Sequence, residues 1–417
     1  MDFNDSPEEA AYRAKARAWL EAEAPAFRTP GSMAARRPSH DDQMKLGKAW
    51  QAKKAAAGYA QITWPKEWGG QGGTPIQSVI FGQEEQKAGV SFGFFTIGLG
   101  MCVPTVMTFA DDETKHRFVG PALRGEEIWS QLFSEPAGGS DVAAARTRAV
   151  KAEDSSGDWI INGQKVWTSG AHYSDFGIVL VRTNPDKPKH KGLTMFWLDL
   201  KDPGVDIRPI HQMSGGSEFN EVYFTDVRVK DSQRLGAVDD GWKVALVTLM
   251  NERLAVGGSS GPNYNEILAL ARETPAQDAN GGESSALQDS AFRQKLADWY
   301  VQAEGLKLTR FRTMTALSRG DTPGPESSIG KIIAANQMQD LCNQAIELQD
   351  QFGILTDPAV APMEAAFQQS YMWAPGLRIA GGTDEILKNI IAERVLGLPG
   401  DIRVDKDVAF KDAPTGR

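Results

Sequence analysis

Hydrophobic positions change rhythm twice along the chain. From Ser6 to about residue 126 they follow the helical period, with apolar residues three and four apart. Ser6-Pro7-Glu8-Glu9 predicts a helix start: Ser6 caps, Pro7 suits the first helical position, and Glu9 completes a capping box. Ala10, Ala14, Trp19 and Ala22 then fall on one face. A Gly-rich turn from Trp68 to Gly73 interrupts the helices. Near residue 127 the pattern becomes strand-like. Trp159 to Ile161, an Asn162-Gly163 turn, and Gln164 to Thr168 predict a hairpin. Further strands are predicted at Phe176–Arg182, Leu193–Leu200, Val205–Met213 and Glu221–Val229. The helical period returns after about Asp240, with helices predicted over Trp242–Ala255 and Ile332–Phe352. Met338, Leu341, Cys342, Ala345 and Phe352 are spaced to share a face of the second. Glu273 to Ala286 is rich in Gly, Ser, Asn and Asp and predicts a mobile loop. The pattern is therefore that of an α+β chain: a helical N-terminal domain over 1–126, an antiparallel β domain over 127–238, helices over 239–400 and a polar tail over 401–417.

Composition narrows the function. A net charge of −9 gives the chain no overall bias toward nucleic acid or acidic membranes, though a local basic pocket is compatible with it. The two cysteines, Cys102 and Cys342, exclude a disulfide framework or a Cys-rich zinc site and read as small buried hydrophobes. The histidines are scattered and no HExxH occurs, so no metal site is expected. No apolar run approaches the roughly 20 residues of a membrane span. The acidic N-terminus resembles neither a secretory signal nor a mitochondrial transit peptide, which predicts a cytoplasmic protein.

Four segments can carry chemistry. The first is Gln131 to Asp141 (QLFSEPAGGSD), where an apolar strand end meets hydroxyls and glycines that admit a flat ligand. Read alone, it fits better a tight loop with an Asx-type turn at Asp141. The second, Gly163 to Gly170, sets Trp167 beside Thr168 and Ser169, a ring to stack and hydroxyls to bond heteroatoms. An ordinary core Trp in a hairpin would look the same. The third is Asn251-Glu252-Arg253-Leu254, where Glu252 follows the apolar run Val244–Met250. Partial desolvation there would raise its pKa toward that of a general base, whereas a solvated surface pair would do nothing. The fourth is Arg378 to Ile386, whose Gly381-Gly382 pair breaks a helix before Thr383 or Asp384 caps the next. A bare helix junction is the alternative. Gly257-Gly258-Ser259-Ser260-Gly261 fits G-x-S-x-G, but a helix precedes it and the chain does not alternate β with α, so a serine hydrolase is rejected.

Each segment alone is weakly specific. In this order and spacing, from Ser6 to about Gly400, the chain resembles the acyl-CoA dehydrogenase family. The resemblance implies a C-terminal four-helix bundle after the β domain, with FAD bound between the two. It also implies a homodimer or a tetramer of two dimers. Ser134-Glu135-Pro136 matches the family's S/T-E-P segment, which puts Gln131, Leu132, Phe133 and Ser134 along the flavin and Gly139 and Ser140 near phosphates or pantetheine. Trp167, Thr168 and Ser169 match its W-I-T segment, Ser169 replacing the threonine that bonds flavin N5. Thr383 and Glu385 match FAD phosphate and ribose contacts; Arg272, Gln349 and Gly353 match contacts to the neighbouring subunit's FAD. The match departs at Arg272-Glu273-Thr274-Pro275, where the family often has R-x-x-F-G, and at Gln351-Phe352-Gly353, where Gly-Gly is common.

The base position departs most. Many members carry the catalytic glutamate immediately before the Gly-Thr of the fourth segment, and here that residue is Gly381. Isovaleryl- and long-chain-type members place it on a helix just before an arginine, and here that pair is Glu252-Arg253. The resemblance thus implies Glu252 as the α-proton base, Ser140, Met250, Arg253 and Gly381 as substrate contacts, and trans-2-enoyl-CoA as product. It implies an electron-transferring flavoprotein as oxidant. An oxygen-using relative (an acyl-CoA oxidase or nitroalkane oxidase type) is one alternative, although the latter needs an aspartate base that neither position 252 nor 381 supplies. A DNA-associated flavoprotein of the alkylation-response type is another, and the acidic net charge argues against it. A non-catalytic subunit is disfavoured by Glu252. Acyl chain length and branching are left open.

Overall fold

The computed structural model describes residues 4–28, 39–90, 92–255, 261–277, 283–320, 324–402 and 404–413. The chain divides into two compact units, one of residues 11–28, 38–256 and 401–417, the other of 1–10, 29–37 and 257–400.

The N-terminal helices are α1 (Pro7–Glu23), which lies in the first unit from Ala11 onward, α2 (His40–Ala56), α3 (Pro75–Ala88), α4 (Val103–Phe109) and α5 (Asp112–Leu123). The predicted capping box forms: Glu9 N–H donates to Ser6 Oγ at 3.2 Å and Ser6 N–H to Glu9 Oε2 at 2.8 Å. The predicted face of α1 does not. Ala10, Ala14 and Ala22 are exposed, while Ala16 and Leu20 are buried and Tyr12 and Trp19 half-buried. Alanines carry too little area to set a helix's orientation, and burying Leu20 with the rings of Tyr12 and Trp19 against Trp50, Tyr59 and Phe81 removes far more apolar surface from water.

The β domain contains β1 (Trp129–Leu132), β2 (Arg148–Lys151), β3 (Trp159–Lys165), β4 (Phe176–Arg182), β5 (Leu193–Asp199), β6 (Val205–Pro209), β7 (Asn220–Val229) and β8 (Arg234–Leu235). They run in the order β6-β7-β3-β2-β4-β5-β8, with β1 added on β4. The sheet is mostly antiparallel as expected, but β1 and β2 pair parallel to β4, so it is mixed. β4 explains its own continuous apolar run. Ile178 and Leu180 face a core shared with α4 and α5, and Val179 and Val181 face a second core with Ile161, Phe196 and Phe224.

The expected Asn162-Gly163 hairpin is absent. β3 runs straight through it, and its register against β7 shifts between Ile161 and Gly163. Gly163 has φ +149°, and a Cβ there would lie 2.7 Å from Thr147 Cα. The glycine serves close approach of two strands rather than a turn. Helix α6 (Gly241–Ala255) follows the sheet and is joined to α4 by a buried hydrogen bond, Thr105 Oγ1 to Thr248 Oγ1 at 2.8 Å. The last residues are not a free tail. Ala409 bridges Pro188, Phe410 N–H donates to Lys187 O at 2.9 Å, and the Arg182 guanidinium lies 3.8 Å from the Phe410 ring centroid. Burying that ring on a buried cation outweighs the polar character of the segment.

The second unit holds α7 (Tyr264–Glu273), α8 (Ser290–Ser318), α9 (Ser327–Leu348), α10 (Ala366–Ile379) and α11 (Asp384–Ile390). Ile267 and Leu270, Phe292 and Trp299, Met338 and Leu341, and Phe367 and Ala374 bring α7 to α10 around one core, the expected four-helix arrangement. Cys342 lies in that core. Helix α9 stops before Phe352, which is exposed rather than on the buried face, because the chain tightens into a short 3₁₀ turn over Asp350–Ile354. The flanks of the predicted loop pair instead as β9 (Pro275–Gln277) and β10 (Glu283–Ser285); residues 278–282 lie outside the described residues. Among the described residues no helix is long and apolar enough to cross a membrane.

Candidate functional site

Two strand ends in the first unit come together. Val166 N–H donates to Ser134 O at 2.9 Å, which sets the segment after β1 beside the segment after β3. Gln131, Leu132, Phe133 and Ser134 thus lie alongside Trp167, Thr168 and Ser169. The chain after Ser134 turns tightly, Glu135 and Gly138 exchanging both backbone hydrogen bonds at 3.1 and 3.0 Å. It then brings Gly139 back under the serine: a side chain at Gly139 would start 3.7 Å from Ser134 Oγ. Ser140 is exposed beside it. No Asx turn forms at Asp141, whose carboxylate instead accepts from Lys189 Nζ at 2.8 Å. A charged partner outcompetes the local N–H.

Trp167 is no core tryptophan. It is 52% exposed at φ +59°, with one edge against Phe219. A tryptophan in a left-handed conformation with an open face is costly for stability, a pattern that clusters at ligand sites. Thr168 beside it is buried, and its Oγ1 has no partner among the described residues. Gln131 Oε1 is likewise buried without a partner. One hydroxyl that can donate and one carbonyl that can accept are left for a ligand that presents both kinds of group.

The surrounding polar residues carry signals that motif reading overlooked. Thr168 and Asn220 exchange backbone hydrogen bonds, both at 3.1 Å, and Asn220 Nδ2 donates again to Thr168 O at 2.9 Å. His172 Nδ1 lies 3.1 Å from Asn220 Oδ1, and burial pushes this imidazole's pKa down. Lys165 and Glu135 form a buried ion pair at 2.8 Å. Burial alone would raise the Glu135 pKa, but the Lys165 charge and hydrogen bond and two backbone N–H groups hold it below its ordinary value. Lys165 was findable in the sequence, because it stands in phase with the buried Trp159 and Ile161 of β3. Asn220 opens a strand and leaves no comparable mark.

Helix α6 carries Met250, exposed on its last turns. Glu252 and Arg253 belong to the same helix, but their side chains lie outside the described residues, as do 256–260 of the rejected G-x-S-x-G segment.

In the second unit, the glycine pair ends α10 as predicted. Gly381 and Gly382 have φ +61° and +92°, and Thr383 caps α11 by accepting from Ile386 N–H at 3.3 Å. Lys331 Nζ fixes the junction, donating to Gly382 O at 2.7 Å and Arg378 O at 3.1 Å. Asp384 is buried and accepts from Arg378 Nε at 2.8 Å and Asn336 Nδ2 at 3.1 Å, yet its Oδ1 has no hydrogen-bond partner among the described residues. Its pKa lies below the ordinary value: burial opposes this, and the Arg378 and Asn336 hydrogen bonds prevail. Glu385 is exposed on the first turn of α11 and Arg272 on the last turn of α7. Gln349 is buried and accepts from Gln368 Nε2 at 2.7 Å, leaving its own Nε2 without a partner among the described residues. Gly353 is buried close by in sequence. Among the described residues no group of three His, Cys, Asp or Glu side chains could hold a metal ion.

A helical N-terminal region, a β domain with an open Trp beside orphaned polar atoms, and a C-terminal four-helix core together define a flavoprotein dehydrogenase fold. The chain belongs to the acyl-CoA dehydrogenase family, oxidoreductases that act on the CH–CH bond of acyl-CoA; the family's N-terminal, middle and C-terminal domain profiles match residues 6–126, 130–227 and 239–396. It is 37% identical to acyl-CoA dehydrogenase FadE34 of Mycobacterium tuberculosis over 84% of this chain, a match that spans only 46% of FadE34. It is 33% identical to acyl-CoA dehydrogenase IpdE1 of the same organism over 94% of this chain and 98% of that protein. Among solved structures, the Tcur3481-Tcur3483 steroid ACAD superposes with a TM-score of 0.76 at 26% identity, covering 96% of this chain and 100% of that one.

Proposed function

We propose that this protein binds FAD and dehydrogenates an acyl-CoA thioester between Cα and Cβ to give the trans-2-enoyl-CoA. The observation that carries the reading is the pair of buried atoms Gln131 Oε1 and Thr168 Oγ1, without a partner among the described residues, on two segments tied together at Ser134 and Val166. A flavin edge alternates acceptors with an N–H donor, so it can satisfy both.

On the β domain, Gln131, Leu132, Phe133, Ser134, Trp167, Thr168 and Ser169 would hold the ring, and Gly139 and Ser140 the phosphates or the pantetheine arm. On the helical unit, Thr383 and Glu385 would serve FAD, and Arg272, Gln349 and Gly353 the FAD of a partner subunit in a homodimer or tetramer. The domain profiles support a division at 1–126, 127–238 and 239–400.

Glu252 takes the α-proton onto its carboxylate; the glycine at 381 leaves no carboxylate at the commoner position. The Gly381 N–H donates to the thioester carbonyl and stabilises the charge that develops there. When bound, FAD supplies the two-electron acceptor that receives the β-hydrogen as hydride. Met250 and Arg253 would line the acyl-CoA path, and an electron-transferring flavoprotein would complete the cycle. The likeness to a steroid ACAD supports steroid acyl-CoA esters beside straight and branched chains as candidate substrates.

The test is anaerobic mixing of FAD-loaded protein with such a panel. Bleaching of the flavin by at least one thioester is the expected result, with slow reoxidation in air separating dehydrogenase from oxidase. A folded protein that takes up no FAD overturns the reading.

A further inference from the structure

The two segments that meet at the proposed flavin site are joined by more than one backbone bond. Lys165, fully buried at the end of β3, donates from Nζ to Glu135 Oε1 at 2.8 Å and to Phe133 O at 3.0 Å. Glu135, also buried, accepts the backbone N–H groups of Arg146 at 2.7 Å and Thr147 at 2.9 Å. Arg182, a second buried cation, donates from Nη2 to Ala143 O at 2.6 Å and from Nε to Ala145 O at 3.3 Å. The chain from 133 to 147 is therefore pinned at both ends, while Pro136, Ala137, Gly139 and Ser140 between the pins stand open or nearly so.

Such a buried pair is an expensive way to stabilise a sheet. Apolar side chains of similar size often do as well or better, because two charges must leave water. What the pair adds is geometry. Its arms run from the residue before Val166-Trp167 to the residue after Ser134, and so set the spacing between the two segments. We propose that Lys165 and Glu135 are positioning residues that hold Ser134 and Trp167–Ser169 at the separation the flavin ring requires. The inference rests on the FAD reading above.

The test compares wild type, Lys165→Met, and the double variant Lys165→Met/Glu135→Gln. The double removes both charges and keeps one side-chain oxygen, which can accept from one of the Arg146 and Thr147 N–H groups. Thermal unfolding, FAD titration of the apoprotein and visible circular dichroism of the bound flavin are recorded for each. The double is expected to unfold near the wild-type temperature. Its Kd for FAD should rise about tenfold, the scale of one misplaced hydrogen bond, with an altered flavin dichroism. A well-folded double with wild-type Kd and dichroism overturns the proposal, since the pair would then be structural only. If the double does not fold, Glu135→Asp is read instead: it keeps the charge and shortens the arm, and a wild-type Kd there overturns the proposal equally. Wild-type protein that binds no FAD defeats both readings, whereas normal binding by wild type and variants alike defeats this one alone.

Discussion

Asn220 holds Thr168 three times, through both backbone hydrogen bonds and from its side-chain Nδ2 at 2.9 Å. Thr168 Oγ1 is thereby left buried and free of any described partner, with its main chain unable to turn toward one. Replacing Asn220 with alanine removes the third bond and leaves a buried carbonyl under-satisfied. FAD affinity should fall about tenfold, with a smaller loss of stability, in calorimetric titration of the apoprotein. Unchanged affinity would mean that Thr168 is not a cofactor contact.

Glu252→Gln keeps the size of the side chain and removes its basicity. The variant is expected to bind FAD and acyl-CoA and to lose about 10²–10⁴-fold in the rate of flavin reduction by stopped flow. Reduction at the wild-type rate would place the base elsewhere.

Acid should weaken the packing of the N-terminal helices. Glu84 on α3 is buried and meets Arg13 at 3.1 Å, Arg17 at 2.8 Å and Lys87 at 2.8 Å. The Arg17 hydrogen bond, aided by Lys87 and Arg13 against the effect of burial, pulls its pKa from 4.5 down to about 2. A depressed carboxylate stabilises the fold above its unfolded pKa and loses that contribution as pH falls through the folded one. Glu84→Gln should therefore melt several degrees below wild type at neutral pH, and the gap should close between pH 4.5 and about 2. A gap that persists at the acid end would contradict the assignment.

Residues 401–413 act on the β domain in a way their polarity conceals. Lys189 Nζ is shared between Asp141 at 2.8 Å and Asp405 at 2.5 Å, and the Phe410 ring covers Arg182. Truncation after Gly400 should lower the melting temperature by several degrees, at about 2–4 °C per kcal/mol for a unit of this size. Phe410→Ala should give part of the loss, since the cation–π contact alone contributes on the order of 0.5–2 kcal/mol. Calorimetric scans of both variants that match wild type would show the segment to be a passenger.

What could be read from sequence follows physical range. The Ser6–Glu9 capping box and the Thr383 cap are decided within a few residues, and both form as expected. The run in β4 announced burial because it serves two cores at once. Asn162-Gly163 failed because its local turn preference, worth little by itself, lost to pairing with a strand on each side, β2 next to it in sequence and β7 far along the chain. The face of α1 failed because position was inferred from alanines, whereas the aromatic partners of Trp19 lie on other helices. At the candidate site, the hydroxyls and glycines stood out by composition. The groups that align them, Lys165, Glu135 and Asn220, are partners only in three dimensions, across separations of 30 to 52 residues.

The Lys189–Asp405 contact spans 216 positions of sequence, and the whole of 257–400, a unit with its own core, is made between the two partners. Synthesis from the N-terminus therefore delivers the last strut of the β domain only after the helical unit has been completed. Until then the nascent β domain must wait with Arg182 uncovered and Lys189 half-engaged. Folding of this chain is thus expected to end where it was left open in the middle, with the contacts of Lys189 and Arg182 to residues after 400 formed last.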